Sequence, residues 1–227
     1  MPKNYAIILA AGSGSRTKEF TPKAFLKINE LFIIEYSILQ FSNNSMIDHI
    51  ALVVPKAYQA FTEELVQVKK YKKVIRILSG GANRFKSSGI GLAMIDEPND
   101  RVLIHDAARP FITKDIIDNC LNALDNSDAV NILTPISDTL VELKDDKIIG
   151  KVDRDKLRRS QTPQGFLVSA IKKAHQLAED SNLEDITDDF NLVLKFGTGS
   201  TSWVNGSRYN IKITYAEDLI YAQRFLV

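Results

Sequence analysis

The sequence predicts an α/β fold: a Rossmann-like, mainly parallel twisted sheet with helices on both faces, plus a protruding β-hairpin arm. Apolar runs of strand length alternate with segments whose apolar residues are spaced three and four apart. The apolar runs are continuous, which is typical of strands that crossover helices bury on both faces. This alternation breaks after Ser137, where two short polar segments follow. We therefore expect a single domain over residues 1–227, with an arm at about 137–155.

Each element follows from its local pattern. The run YAIILA predicts the first strand at 5–10, the spacing in 33–41 predicts a helix, and HIALVVP predicts a strand at 49–55. Further strands are expected at 74–78, 102–104, 129–135 and 202–204. Further helices are expected at 57–71, 85–94, 113–124, 169–178, from about 187, and at 216–225. Thr113 is the expected N-cap of the helix at 113–124.

The arm is predicted by the stretch DTLVELKDDKIIGKVDR, which indicates two polar strands around a turn near residues 144–147. It contains few large apolar residues, and an isolated two-stranded hairpin is marginally stable in water. We therefore expect it to pack against something else, for which a second subunit is the natural candidate.

Composition excludes several classes of protein. The 227 residues carry 29 basic and 28 acidic side chains, a net charge of +1, whereas a protein that neutralises nucleic-acid phosphates is usually more basic. No apolar run approaches the roughly 18 residues of a membrane span. The start of the chain lacks the pattern of a secretory signal, so we expect a cytoplasmic protein. The single cysteine, Cys120, lies in an apolar helical pattern and is expected to be a buried structural thiol.

The loop after the first strand, LAAGSGSRTKEFTPKAF, combines small residues with two cations, Arg16 and Lys23. Small residues let backbone N–H groups approach a phosphate chain, and the two cations can then bind phosphate oxygens. The alternative is a flexible connector with solvated charges. The candidate phosphate-binding residues of the small-residue stretch are Ala10, Ala11, Gly12 and Gly14.

Two later strand ends carry similar chemistry, and ligands of open parallel sheets bind beyond the carboxyl ends of the strands. GGANRFKSS supplies Gly80, Gly81, Arg84 and Ser87, which fit either a second phosphate contact or an ordinary strand-to-helix turn. HDAARP places Asp106 beside Arg109, a pair that suits a divalent cation with its polyphosphate, or a polyol hydroxyl. The neighbouring His105 is expected to be a hydrogen-bonded structural residue.

Nine motifs in order resemble one known family: LAAGSGSR, PKAFL, GGANR, HDAARPF, DT, DR, QTPQGF, TDD and GSRYNIKIT. Together they are similar to the cytidylyltransferases that act on 2-C-methyl-D-erythritol 4-phosphate, and to relatives that act on ribitol 5-phosphate. The resemblance extends from residue 7 to residue 219. It implies a CTP-dependent nucleotidyltransferase that uses Mg²⁺ and forms a homodimer.

The resemblance also implies roles for individual residues. In that family the first loop wraps the triphosphate of CTP, and Arg16 and Lys23 stabilise phosphate charge in the transition state. Asp106 and Arg109 face the second substrate, with Asp106 also the expected carboxylate near the metal. The arm reaches the partner subunit. The remaining residues expected to hold the polyol phosphate are Thr139 and Arg154 of the arm, together with Thr162 and Lys212.

Such a reaction needs no general base, because the phosphate of the acceptor is already an anion near neutral pH. Catalysis then depends on positioning and charge neutralisation. The acceptor stays open between methylerythritol phosphate, the preferred candidate for isoprenoid precursor synthesis, and ribitol 5-phosphate or another polyol phosphate. A non-catalytic nucleotide-binding protein would be expected to lack one of the charged residues, and none is missing. A dinucleotide-dependent dehydrogenase is disfavoured because the first loop lacks the third glycine of its fingerprint.

Overall fold

The computed structural model describes residues 2–12, 21–181, 183, 186 and 188–225. Within this part of the chain, a seven-stranded sheet forms the centre of the molecule. Its strands in chain order are β1 (Asn4–Leu9), β4 (His49–Val54), β5 (Val74–Ser79), β6 (Arg101–Asp106), β7 (Ala129–Pro135), β10 (Arg158–Leu167) and β11 (Thr201–Asn205). Two hairpins lie outside it, β2 (Lys27–Ile28) with β3 (Leu31–Phe32), and β8 (Val141–Lys144) with β9 (Lys147–Lys151).

The strand order across the sheet is β11-β7-β10-β6-β1-β4-β5. The pairs β1–β4, β1–β6, β4–β5 and β7–β11 are parallel, whereas β10 runs antiparallel to both β6 and β7. Because β10 is antiparallel to each of its neighbours, β6 and β7 point the same way. The sheet is therefore mainly parallel, as the sequence predicts, with β10 as a reversed strand at an inner position.

Helices cover both faces of the sheet. They are α1 (Ile33–Asn43), α2 (Gln59–Lys69), α3 (Arg84–Leu92), α4 (Lys114–Ala123), α5 (Val168–Asp180), α6 (Phe190–Phe196) and α7 (Ala216–Phe225). Successive residues of β1 point to opposite faces. Ile8 belongs to a buried cluster with Ile38 of α1, and Ile7 belongs to a second cluster with Leu92 of α3. This layering confirms the predicted α/β class.

Strand β10 was not predicted, and its sequence explains why. The segment RRSQTPQGFL contains a proline, a glycine and several polar residues, which are typical of a loop. Three polar side chains of this strand, those of Gln161, Thr162 and Gln164, are nevertheless buried, and each is hydrogen-bonded. Gln161 Nε2 donates to the Ser207 carbonyl at 2.8 Å, and Gln164 Oε1 accepts from the Phe190 amide at 3.2 Å. The pairing with β7 is irregular between Gln161 and Gly165, where the proline lies. The hydrogen bonds of the buried side chains thus compensate for the low strand propensity.

The arm lies where the sequence predicts it. Strands β8 and β9 pair only with each other, and the two residues between them, Asp145 and Asp146, both have positive φ, 48° and 61°. A two-residue turn with positive φ at both residues matches the right-handed twist of the two strands that it joins. Leu143 and Ile148 are 61% and 70% exposed, so the arm has apolar surface that this subunit does not cover.

Two smaller predictions, for Thr113 and Cys120, are confirmed by the structure. Thr113 caps α4, because its side chain accepts a hydrogen bond from the Ile116 amide. Cys120 is fully buried in α4, and burial raises the pKa of its thiol to about 12. Among the helices of the described residues, each is too short or too polar to cross a membrane.

Candidate active site

A cavity of about 370 Å³ lies at the carboxyl ends of β1 and β6 and beside the start of α3. Three predicted segments meet there: the start of the first loop, GGANR after β5, and the end of β6. The predicted site residues that line this cavity are Ala10, Ala11, Gly12, Lys23, Gly81, Arg84, Ser87, Asp106 and Lys212. Of the remaining predictions for the first loop, Gly14 and Arg16 lie outside the described residues.

Gly80 holds two of these segments close together. A Cβ atom built on Gly80 would lie 2.2 Å from the Cβ of Ala11, a distance that real structures do not tolerate. The loop after β5 can therefore pack against the first loop only if residue 80 is glycine. Gly80 itself does not line the cavity, so its role in the structure is to allow the two loops that do line it to pack closely together.

Asp106 lines the cavity between two cations that also line it, Arg84 and Lys212. It is 8% exposed, its Oδ1 accepts from Arg84 Nε at 3.0 Å, and its Oδ2 accepts from Lys212 Nζ at 2.7 Å. Burial alone raises the pKa of this carboxyl, but Arg84 and Lys212 outweigh burial and hold the pKa well below its usual range. Asp106 is therefore ionised at neutral pH, with a cation on each oxygen.

The acidic residues suit a metal that is held mainly by substrate. Among the described residues there is no group of three or more His, Cys, Asp or Glu that could form a complete metal site. Asp106 is the carboxylate that lines the cavity among the residues that the structure describes. Mg²⁺ is commonly bound by one or two carboxylates together with substrate phosphates and water, so a single carboxylate fits this ion better than a metal that needs a full protein cage.

Behind Asp106 lies a second buried carboxylate, that of Asp189, immediately before α6. It is fully buried, and it accepts hydrogen bonds from Ser88 at 2.7 Å and from Arg84 Nη1 at 2.6 Å. His175 Nε2 lies 2.9 Å from the same carboxylate. Sequence reasoning placed Asp189 in a motif and at a helix start but gave it no site role. Its burial could not be deduced from a charged residue in the polar stretch TDD.

His105 and Thr162 support Asp106 from the sheet. The Thr162 hydroxyl accepts from the Asp106 amide at 3.0 Å and lies 3.1 Å from His105 Nδ1, while His105 Nε2 lies 3.2 Å from the Arg109 carbonyl. A carbonyl can only accept, so the pattern assigns the proton to Nε2 and makes Nδ1 an acceptor of the threonine hydroxyl. Burial lowers the pKa of His105 to about 4, which keeps the ring neutral. This agrees with its expected structural role.

Lys23 lines the cavity, whereas Thr162 and Arg109 do not, and each of the three has partners of its own. Thr162 is 4% exposed and faces the Asp106 backbone rather than the cavity. Arg109 Nη1 donates to the Asn210 carbonyl at 2.9 Å, and burial lowers the pKa of its guanidinium. Lys23 Nζ donates to the Thr214 carbonyl at 3.1 Å, which joins the first loop to the segment that contains Lys212.

The two predicted arm residues are not brought to this cavity within the subunit. Thr139 and Arg154 are both exposed, and neither lines the cavity. Arg154 Nη1 instead donates to the Ser137 carbonyl at 2.5 Å. Their predicted contact with substrate therefore depends on a second subunit.

Comparisons with known proteins place the chain in a family. Residues 5–227 match the family model for 2-C-methyl-D-erythritol 4-phosphate cytidylyltransferase. The chain belongs to this family. It is 36% identical to the family's enzyme from Lachnospira eligens, an alignment that covers 98% of this chain and 99% of the relative. It is also 36% identical to the Bacillus cereus enzyme of the same name, covering 97% and 96% of the two chains.

Solved structures of the family have the same fold. The 4-diphosphocytidyl-2C-methyl-D-erythritol synthase of Anaerococcus prevotii superposes with a TM-score of 0.86 at 31% identity, covering 99% of this chain and 98% of that one. The 2-C-methyl-D-erythritol 4-phosphate cytidylyltransferase of Thermus thermophilus superposes with a TM-score of 0.80 at 28% identity, covering 97% of each chain. The family resemblance drawn from the nine motifs is thereby confirmed, and the family match extends over residues 5–227.

Proposed function

We propose that this protein transfers the CMP group of CTP to the phosphate of 2-C-methyl-D-erythritol 4-phosphate, with release of pyrophosphate. The observation that supports it most directly is the cavity at the strand ends, where the cations Lys23, Arg84 and Lys212 line the same space as the carboxylate of Asp106. Positive side chains around one cavity can neutralise the charge of two polyanionic substrates, which must approach each other during the reaction. Family membership supplies the identity of the nucleotide and of the acceptor.

The reaction is an in-line displacement at the α-phosphorus of CTP. An anionic oxygen of the acceptor phosphate forms the new P–O bond while the bond to pyrophosphate breaks, so the product is a CDP-polyol. The nucleophile needs no base, because the second pKa of a phosphate ester is about 6. The buried His105 is consistent with this, because it does not line the cavity and both of its ring nitrogens have partners within the protein.

The cations of this chain would act by neutralising and orienting phosphate charge. Lys23 and the predicted Arg16 would contact the triphosphate, and Lys212 would contact the phosphates near the point of attack. Asp106 would accept hydrogen bonds from hydroxyls of the acceptor, with Arg109 nearby. Magnesium, when bound, would supply further neutralisation of the triphosphate, and Asp106 would be a carboxylate of the cavity available to it.

We also propose a homodimer in which the arm of one subunit completes the site of the other. The exposed Thr139 and Arg154, together with the uncovered apolar side chains of the arm, support this arrangement. Arg154 can bind a phosphate through two N–H groups, as a lysine cannot. We also propose that the protein is cytoplasmic, because its proposed substrates are charged and soluble.

The acceptor is tested by measuring pyrophosphate release from CTP with Mg²⁺ and each candidate acceptor in turn. We expect turnover with 2-C-methyl-D-erythritol 4-phosphate and little or none with ribitol 5-phosphate at the same concentration. Reactions without acceptor correct for hydrolysis of CTP. Turnover with ribitol 5-phosphate alone would overturn the proposed acceptor but leave the cytidylyl transfer intact.

A further inference from the structure

Arg84 bridges two carboxylates that come from distant parts of the chain. Its Nε donates to Asp106 at 3.0 Å and its Nη1 donates to Asp189 at 2.6 Å. Arg84 begins α3, Asp106 ends β6, and Asp189 immediately precedes α6. The guanidinium is planar, so two contacts on different nitrogens fix its orientation as well as its position.

Asp189 is held more firmly than Arg84. Its side chain has no exposed surface, whereas that of Arg84 is 21% exposed and lines the cavity. The Ser88 hydroxyl and His175 Nε2 both contact Asp189 Oδ1, which leaves Oδ2 for the arginine. Ser88 and His175 thus hold the carboxylate in the interior independently of Arg84, whereas the more exposed arginine is the partner that would move if their contact were lost.

We propose that Asp189 is a positioning residue for Asp106, which it orients by holding the Arg84 guanidinium in place. Without the Asp189 contact, one of the two restraints on the Arg84 guanidinium is lost, and its Nε is free to turn away from Asp106 Oδ1 toward the cavity. Asp106 would then lose its fixed donor on Oδ1 and keep Lys212 on Oδ2. This inference rests on the proposed function, because the consequence concerns the acceptor that Asp106 would bind.

Stability alone does not account for a buried charge at this place. Taking ions out of water is costly, and well-packed apolar residues often replace a buried ion pair without loss of stability. What a carboxylate adds is a fixed direction for the arginine, and a displacement of about 1 Å near reacting groups can lower a rate by about 100-fold. The arrangement therefore predicts an effect on catalysis that is separable from the effect on folding.

The test compares Asp189→Asn with Asp188→Asn, the same substitution one residue away. Asp188 accepts hydrogen bonds only from Asn191 in the described structure, so its variant should keep the wild-type kinetics within about twofold. Asp189→Asn should lower kcat/KM for the acceptor by about 10- to 100-fold. The KM for CTP should change much less, because Asp106 is proposed to face the acceptor.

A double-mutant cycle with Asp106→Asn distinguishes positioning from a general structural defect. If Asp189 acts through Asp106, then Asp189→Asn should cost much less activity in the Asp106→Asn background than in the wild type. The loss of thermal stability should be similar in both backgrounds. Kinetic losses that simply multiply would overturn the proposal.

An independent measurement separates this proposal from the proposed function. In a crystal structure of Asp189→Asn, Arg84 Nε should have left Asp106, whether or not the enzyme turns over methylerythritol phosphate; an unchanged 3.0 Å contact would overturn the inference. If Asp189→Asn does not fold, Ser88→Ala decides, since it removes one of the two hydrogen bonds on Oδ1. It should shift acceptor kinetics in the same direction by a smaller factor, and unchanged acceptor kinetics would overturn the proposal.

Discussion

At the scale of single residues, Lys212 gives the most direct test of the proposal that cations of the cavity stabilise phosphate charge. Its ammonium is 2.7 Å from Asp106, and its side chain is 41% exposed, so the lysine contributes little to folding. Lys212→Ala should lower kcat by about 100- to 1,000-fold, the usual cost of removing one positioned electrostatic donor. Its thermal unfolding midpoint should stay within a few degrees of wild type. Lys195→Ala, which removes an exposed lysine of α6, is the control and should be fully active.

His105 predicts how the stability of the fold depends on pH. Its pKa in the folded protein is about 4, below the ordinary 6.5, so the unfolded chain binds a proton more readily between these values. Stability contributed by the neutral ring is complete above about pH 6.5 and is lost as the pH falls toward 4. Between pH 7 and pH 5 this amounts to about 2 kcal/mol of unfolding free energy.

Urea denaturation of wild type and His105→Gln at both pH values checks this expectation. The variant should be less stable at pH 7 but should show a smaller loss at pH 5, because glutamine does not titrate. The other two histidines, His49 and His175, are common to both proteins and cancel in the comparison. An equal pH dependence in the two proteins would show that His105 is not the titrating group.

At the scale of elements, the sequence alone predicted a helix or strand correctly where a single local pattern dominates. Continuous apolar runs located β1, β4 and β7, and the turn with Asp145 and Asp146 located the arm. The strand β10 was missed because several of its buried side chains are polar and are hydrogen-bonded to partners on distant segments, among them Ser207 and Phe190. Such long-range hydrogen bonds leave no local pattern.

The same reasoning explains what could be predicted of the site. Residues in loops at strand ends were found because parallel topology gathers those ends at one edge. Asp189 was not given a site role, because its contact with Arg84 joins residues 105 positions apart. The fold brings the pair together, and nothing in the sequence around either residue indicates that the two are in contact.

The apolar side chains of the arm predict its role in association. Ile148 is 70% exposed in the subunit, so Ile148→Asp should leave the fold intact. If the arm packs against a partner, the aspartate would be buried unpaired at the interface and should weaken the dimer strongly. Light scattering over a range of concentrations should then show monomers for Ile148→Asp. Val68→Asp, an equally exposed apolar position on α2, should associate like wild type.

At the scale of the whole molecule, the proposed dimer makes each site a product of two chains. Lys212 lines the cavity of its own subunit, whereas Arg154 lies on the arm and does not reach that cavity. Arg154→Ala should weaken binding of the acceptor more than binding of CTP, since the arginine is proposed to hold the acceptor phosphate. Steady-state kinetics with each substrate varied in turn would measure this difference.

Mixing two inactive variants tests whether the arm crosses between subunits. In a heterodimer of Arg154→Ala and Lys212→Ala, one site carries both substitutions and the other carries neither. If subunits exchange at random in an equal mixture, half of the dimers are mixed, so about a quarter of all sites are intact and activity should recover to about that fraction. Mass spectrometry of the intact dimers verifies the exchange. A mixture that stays inactive although heterodimers are present would mean that Arg154 serves the site of its own chain.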